Sequence, residues 1–215
     1  MRVEEIMKTE VYTLSPEDTI GTALQLLRHK KIRHIPITDS TDALVGLVSD
    51  RDVKDATPSI LDKGSNEEEL KQPLSLIMQR SVITGHPLDF VEEVAATLSE
   101  HQISCMPIIQ DGHLVGIITE TDLLNTFVEL TGANQPGSRI EVKVPNRAGI
   151  LFEILSIINK RHANIQSVLV YPDKENDAYK VLVFRVKTMN PIGMIDDLKR
   201  EGHIVLWPNM PGMPL

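Results

Sequence analysis

The sequence is organised by an internal repeat, in which one pattern of residues recurs 71 positions further along the chain. An apolar run contains Pro36 in the first copy and Pro107 in the second, and a later Ser/Thr-x-x-Asp motif ends at Asp52 and at Asp122. The two aspartates lie 70 residues apart, so the second copy has lost one residue between these motifs. A repeat of this kind constrains the fold strongly, because each copy must form a similar structural unit.

Each copy has the pattern of a short strand, a helix, two strands and a second helix. In the first copy the hydrophobic face of the first helix is indicated by Ile20, Ala23, Leu24 and Leu27. Residues 35–37 and 44–48 are apolar runs separated by turn-forming residues, which predicts a hairpin. About 60 residues is small for an independent core, so the two copies are expected to bury their sheets against each other.

The ordered motifs of the repeat resemble those of a CBS-domain pair. They are Ile-Pro or Met-Pro, then Val-Gly followed by two aliphatic residues, then Ser/Thr-x-x-Asp, and all of them occur twice. The resemblance covers roughly residues 1 to 130 and implies a fold of the α+β class with α/β elements. We predict a first CBS domain with its polar connector at 1–72 and a second CBS domain at 73–131.

A different pattern begins at Arg139, where apolar and polar residues alternate as in a half-buried strand. The order of predicted elements that follows is strand-helix-strand-strand-helix-strand, the βαββαβ arrangement of a ferredoxin-like sandwich. Together with an Asn-Arg-Ala-Gly turn after the first strand, this order resembles an ACT domain. We assign the ACT domain to 138–215 and interpret residues 131–138 as the linker before it.

Composition limits the classes of function. The formal net charge of −8 argues against a nucleic-acid partner, which requires a clustered basic face. The sequence shows neither a membrane-spanning apolar run nor a signal peptide, and its single cysteine, Cys105, cannot form an internal disulfide. These features predict a cytoplasmic protein with no membrane association.

The Ser/Thr-x-x-Asp motifs are candidate nucleotide-binding sites, formed by Ser49 and Asp52 and by Thr119 and Asp122. On sequence alone each is also a helix capping box. The CBS resemblance implies that the aspartate accepts hydrogen bonds from the ribose hydroxyls and that the Ser or Thr contacts the ribose or phosphate. Both roles are compatible, since one helix start can serve as cap and as site.

Basic residues near the motif distinguish the first copy from the second. Arg51 lies within the first motif, and Arg33 and His34 precede the Ile-Pro pair. Guanidinium groups suit phosphate, so we predict that the first site is the better equipped for a nucleotide. Alternatively both arginines face solvent and His34 is a packed histidine. Cys105, which corresponds to His34, is predicted to be a core residue and not a nucleophile.

In the ACT segment, Asn146, Arg147 and Gly149 form a candidate effector site for a small carboxylate at the start of the following helix. The alternative is a simple turn, with Gly149 present for close packing. ACT domains commonly have Asp at the position of Asn146. Trp207, the single tryptophan, is predicted to close the ACT core or to lie at a dimer edge.

No catalytic or metal-binding motif is recognisable. Local stretches, for example 126–133 and 205–209, resemble the acetoin-utilisation family, which implies a role in acetoin and butanediol catabolism. We therefore predict a non-enzymatic regulator that binds AMP, ADP, ATP, NAD or S-adenosylmethionine and controls an unidentified protein of acetoin metabolism. Two alternatives remain open, an assembly module and an enzyme without a recognisable motif. We predict a homodimer or larger assembly. Apolar helix faces such as Ile20/Leu24/Leu27 and Val91/Val94/Leu98 suggest it, and the resemblance implies it, because CBS pairs and ACT domains both commonly dimerise.

Overall fold

The computed structural model describes residues 1–57 and 66–208, and the chain divides into two compact units, Met1–Leu124 and Asn125–Leu215. The first unit contains the first copy of the repeat and the second copy as far as Leu124. The second unit contains the ferredoxin-like arrangement predicted from the sequence. The mixed fold class is confirmed.

The first copy consists of a helix, a hairpin and a short second helix. Its elements are α1 (Ile20–Lys30), β1 (His34–Thr38), β2 (Leu44–Ser49) and α2 (Asp50–Asp55), followed by α3 (Asn66–Leu70) in the connector. Thr19 caps the start of helix α1, and its hydroxyl accepts a hydrogen bond from the Thr22 N–H. The predicted apolar face of α1 packs into the core of this copy.

The second copy repeats the first closely. Its elements are α4 (Val91–His101), β3 (Cys105–Gln110), β4 (His113–Thr119) and α5 (Glu120–Thr131). The hairpins have equivalent registers, with Ile37 opposite Gly46 and Ile108 opposite Gly116. Even the left-handed residues that end the first helices correspond, Lys31 and Gln102, both at φ 54°. The main difference is that α5 is twice as long as α2.

The leading segments of the two copies are exchanged between the cores. Val3 packs with Val94 and Ile118 of the second copy, whereas Leu74 and Met78 pack with the core of the first copy. The leading strand predicted in each copy is a 3-10 turn, Val3–Glu5 or Leu74–Leu76, followed by an isolated bridge to a hairpin of the other copy. A division between 72 and 73 therefore separates the sequence copies but not their cores.

The C-terminal unit has the predicted order of six elements. They are β5 (Ser138–Pro145), α6 (Ile150–Asn159), β6 (Ile165–Pro172), β7 (Tyr179–Val186), α7 (Ile192–Arg200) and β8 (Ile204–Trp207). The strands pair in the order β6-β7-β5-β8, and every pairing is antiparallel. Val142, Leu182 and Phe184 on the sheet pack with Ile154 and Leu198 on the helices. Gly202 adopts φ 87° just after α7, as predicted for a helix C-terminus.

The predicted linker is held against the sheet of this unit. The Ser167 hydroxyl donates to the Thr131 carbonyl at 2.9 Å, and Arg185 Nη2 donates to the Gln135 carbonyl at 2.6 Å. Trp207 lies opposite Glu141 on the edge strand and is 50% exposed, so the prediction that it closes the core is wrong. Its exposed edge position leaves the alternative, a dimer edge, as a prediction.

Candidate functional site

The first Ser-x-x-Asp motif lies where β2 ends and α2 begins. The Ser49 N–H and hydroxyl both donate to Asp52 Oδ2, at 2.7 and 2.6 Å, and the hydroxyl accepts from the Asp52 N–H at 3.2 Å. This is the reciprocal capping box expected from the sequence. The cap uses one carboxylate oxygen, and no described residue donates a hydrogen bond to the other, Oδ1.

A cavity of about 160 Å³ lies next to this motif, within the first unit. Side chains of both copies line it, and the polar ones include His34, Ser49, Asp52, Gln79 and Ser104. Val82, Ile83 and Ile103 contribute apolar surface. A wall of this kind, with a few polar groups beside apolar ones, is typical of small-molecule sites.

His34 bridges the two copies at the cavity. Its Nε2 shares a hydrogen bond of 2.9 Å with the Ser104 hydroxyl. Burial lowers the pKa of His34 below its ordinary value, and the positive charge of Arg33 lowers it further. His34 is therefore a partly buried histidine of the cavity wall that favours the neutral form.

Cys105 occupies the position in the second copy that corresponds to His34. The side chain is 3% exposed, and burial raises the pKa of its thiol to about 12. A thiol with such a pKa is protonated near neutral pH and is a poor nucleophile. The prediction that Cys105 is a core residue is confirmed.

Two of the predicted basic residues do not line the cavity. Arg33 and Arg51 are exposed, although Arg33 is close enough to influence the titration of His34 and Cys105. Arg51 is adjacent to Asp52 on α2, and neighbouring residues of a helix project in different directions. Their contact with a phosphate stays a prediction.

The second motif has the same cap but a different partner. The Thr119 N–H donates to Asp122 Oδ2 at 2.9 Å, and the Thr119 hydroxyl donates to the same oxygen. The other oxygen, Oδ1, lies 2.9 Å from Lys8 Nζ, so the carboxylate forms an ion pair with the chain's own lysine. Asp122 is 9% exposed. The two motifs are therefore alike in backbone and unlike in what their aspartates contact.

Gln79, Ser104 and Lys8 are site residues that the sequence interpretation did not select. Gln79 and Lys8 occupy equivalent positions, directly after the Ile-Met pair of each copy. The signal that could have identified them is the charge difference at one repeat position. Ser104 corresponds to Arg33, and its pairing with His34 joins positions 70 residues apart.

The predicted effector residues lie together at the start of α6 in the second unit. Gly149 adopts φ 81° at the N-cap position, and open space surrounds the place where a Cβ would stand. Its suggested role in close packing is therefore wrong, and the left-handed backbone explains the glycine. Arg147 is paired with Glu153 at 2.6 Å, and the Asn146 N–H donates to the Ala178 carbonyl at 2.8 Å.

Within the described ranges 1–57 and 66–208, the chain has neither a cluster of metal ligands nor a membrane-spanning helix. No group of three or more His, Cys, Asp or Glu side chains is placed to hold a metal ion. In the same residues, no helix has the length and hydrophobicity needed to cross a membrane.

Two family models match the chain. The CBS domain model matches residues 3–59 and 74–129, and the ACT domain model matches residues 138–202. A homoserine O-acetyltransferase of Methanococcus vannielii is 34% identical over 126 residues, which are 58% of this chain and 24% of that enzyme. The chain thus spans about a quarter of that relative, and the similarity does not extend over the whole enzyme.

Many solved structures resemble the chain, including the following two. One, from Vibrio cholerae, is assigned to acetoin utilization (AcuB) and aligns with a TM-score of 0.54 at 31% identity, covering 63% of this chain and 98% of that one. The other is the CBS domain pair of protein MJ0100, in complex with 5′-methylthioadenosine and S-adenosyl-L-methionine. It aligns with a TM-score of 0.52 at 29% identity, covering the same shares of both chains.

Proposed function

This chain belongs to the CBS-domain family and carries an ACT domain, and on that premise we propose that it is a non-enzymatic regulator that binds an adenine nucleotide through its CBS pair. The observation that carries the proposal is the carboxylate of Asp52. One of its oxygens is fixed by Ser49, while the aspartate itself lines the cavity.

The chemistry of the cavity suits an adenosine group. Because the cap holds Asp52 through Oδ2, the carboxylate presents Oδ1 in a fixed position, where it can accept hydrogen bonds from ribose hydroxyls. Val82, Ile83 and Ile103 offer an apolar wall for the purine ring. A related CBS pair binds two adenosine derivatives, which supports the same ligand class here. In this proposal Arg33, Arg51 and His34 contact the phosphate groups of the nucleotide. Thr119 and Asp122 form a second nucleotide site.

The biological setting that we propose is acetoin and butanediol catabolism in the cytoplasm, with an unidentified protein of that metabolism as the regulated partner. The likeness to the Vibrio cholerae protein supports this setting. Loss of the gene should slow growth on acetoin or butanediol and leave growth on glucose unchanged. If the strain that lacks the gene grows on acetoin as fast as the parent strain, the proposed role in acetoin catabolism is refuted, whereas nucleotide binding is not.

We propose that the ACT domain binds a small carboxylate at Asn146, Arg147 and Gly149. The ligand would take the place of Glu153 as the partner of Arg147, whose side chain is about half exposed and able to reorient. Backbone N–H groups at the start of α6 would supply further donors. Titration with the common amino acids tests this part separately.

A second candidate function, assembly alone, is favoured by an apolar stripe on α5. Leu124, Phe127 and Leu130 are 61, 58 and 55% exposed. Such surfaces commonly mark protein contacts. The helix faces used in the sequence prediction of a dimer, by contrast, are largely buried within the chain. Light scattering should give at least twice the monomer mass of 24.0 kDa.

Thermal shift measurements separate the regulator from the assembly module. A ligand at about 100 times its dissociation constant stabilises the folded state by about 2.7 kcal/mol, which should raise the melting temperature by about 5–10 °C. AMP, ADP, ATP, NAD and S-adenosylmethionine should be compared, with uridine monophosphate as the control for base identity. No shift with any adenine compound at millimolar concentration would refute the proposed regulator.

A further inference from the structure

The two aspartates of the repeated motif differ in what they already contact. We propose that Lys8 makes the second nucleotide site the weaker one, because its ammonium competes with the ligand for the Asp122 carboxylate. This inference rests on the proposed function of the motifs in binding ribose. It assigns a specificity role to a residue outside both motifs.

Lys8 and Gln79 are strictly comparable because the backbone holds them in the same way. The Lys8 N–H donates to the Ile117 carbonyl at 2.9 Å, and the Ile117 N–H donates back at 3.0 Å. Gln79 exchanges the same pair of bonds with Leu47, both at 2.9 Å. Each residue therefore lies beside the strand that leads into one motif. Any difference between the sites at this position comes from the side chain.

The side chains of Lys8 and Gln79 have different effects on the carboxylates of the two motif aspartates. Lys8 Nζ lies 2.9 Å from Asp122 Oδ1, while the cap occupies Oδ2. Gln79 is uncharged, and like Asp52 it lines the cavity of the first site. Among the described residues none donates a hydrogen bond to Asp52 Oδ1. Ribose hydroxyls thus meet an available acceptor at the first site and an ion-paired one at the second.

The expected competition is modest in size. The Lys8 side chain is 59% exposed, so it can leave Asp122 without losing a buried position. Partly exposed ion pairs are worth up to about 1 kcal/mol, which corresponds to about a two- to fivefold change in affinity. The second site should therefore bind more weakly than the first and should still be measurable.

5′-Methylthioadenosine is the appropriate probe because it carries no charge near neutral pH. Its own binding is then nearly independent of ionic strength, whereas salt weakens the pairing of an exposed lysine with Asp122. Raising the salt concentration should increase affinity at the second site and leave the first almost unchanged. A merely structural role for Lys8 would not produce this difference.

The test is titration calorimetry of the full chain with 5′-methylthioadenosine. Wild type should show two unequal binding steps, of which Asp52→Asn removes the stronger and Asp122→Asn the weaker. Lys8→Gln should strengthen the weaker step by about two- to fivefold, and the reciprocal variant Gln79→Lys should weaken the stronger step by a similar factor. Melting temperatures of the unliganded variants control for folding.

The outcomes distinguish this inference from the function on which it rests. Two steps that remain unmoved by Lys8→Gln, by Gln79→Lys and by salt would overturn the role of Lys8 and leave nucleotide binding intact. Absence of binding by wild type and by every variant would overturn both. If Lys8→Gln fails to fold, the response of wild type to salt and the behaviour of Gln79→Lys still decide the matter.

Discussion

The first and second copies of the CBS repeat have nearly the same backbone but different side chains around their motifs. Both have the capping box, an equivalent hairpin register and a left-handed residue at the end of the first helix. They differ where His34 corresponds to Cys105 and where Gln79 corresponds to Lys8. Folding thus constrains the backbone positions in both copies, while the chemistry of the two clefts has diverged.

The largest expected effect concerns the exchanged leading segments. Leu74→Ala should lower the free energy of unfolding by about 2–5 kcal/mol, because Leu74 is fully buried in the first copy's core. Hydrogen exchange should show earlier loss of protection in β1 and β2 than in β3 and β4. Leu76→Ala is the matched control, since Leu76 lies in the same turn and is 68% exposed. Equal loss of protection in both hairpins would contradict the packing of Leu74 into the first copy's core.

The next effect concerns the ligand. Asp52→Ala should weaken binding of an adenine nucleotide by about 1.5–3 kcal/mol, or about ten- to a hundredfold, because it removes a charged acceptor. Asp122→Ala should have a smaller effect, since Lys8 already occupies that carboxylate. Calorimetry measures both, with the exposed Asp55→Ala on the same helix as the control. A greater loss for Asp122→Ala would reverse the proposed order of the sites.

Replacing the repeated glycine of each hairpin, Gly46 or Gly116, by alanine should lower stability equally in the two copies, by an amount similar to or smaller than the effect of Asp52→Ala on binding. A Cβ at Gly46 would lie 2.8 Å from Met78 Sδ, and one at Gly116 would lie 2.6 Å from Met7 Sδ. Each Gly→Ala variant should lose about 1–3 kcal/mol by overpacking. Met78→Ala should cost less in the Gly46→Ala background than in wild type, as measured by a double-mutant cycle. If the losses of stability from Gly46→Ala and Met78→Ala are additive, the sulfur of Met78 is not what a Cβ at position 46 overlaps with.

The smallest effect is a pH dependence confined to the first copy. Because the pKa of His34 is lowered by burial, the unfolded chain binds a proton more readily than the folded one. Stability from this residue is complete above the ordinary pKa of 6.5 and is lost as the pH falls through the folded pKa. Cys105 has no such transition at these pH values, since its thiol pKa is about 12.

Melting temperatures measured at about pH 7.5 and about pH 5.5 test this dependence. The decrease on acidification should be smaller in His34→Gln than in wild type. His113→Gln is the control, because His113 is exposed in the second hairpin. An unchanged decrease in His34→Gln would show that His34 does not contribute to acid sensitivity.

The sequence was sufficient for the order of most elements and for the caps, because both depend on short-range patterns. The spacing of Ile20, Ala23 and Leu27 specified a helix face, and Ser49 with Asp52 specified a helix start. The sequence was insufficient to predict that Val3 and Leu74 pack into the opposite cores. Both leading segments have the same apolar pattern, which fits packing against the segment's own copy as well as packing against the other copy. The contact of Lys8 with Asp122 depends on that packing, and the contact of His34 with Ser104 depends on how the two copies meet; short-range patterns specify neither.

The exchange of leading segments also bears on how such a repeat can be inherited. A gene fragment that encoded residues 1–72 alone would carry Val3 without the core it fills, and its own core would lack Leu74 and Met78. The bounds of the sequence copy are therefore not the bounds of a core, since the first core runs from Leu14 to Met78. The second core combines Val3, Ile6 and Met7 with residues from Ile83 onward, so recombination that moves the second core intact must move the first core with it.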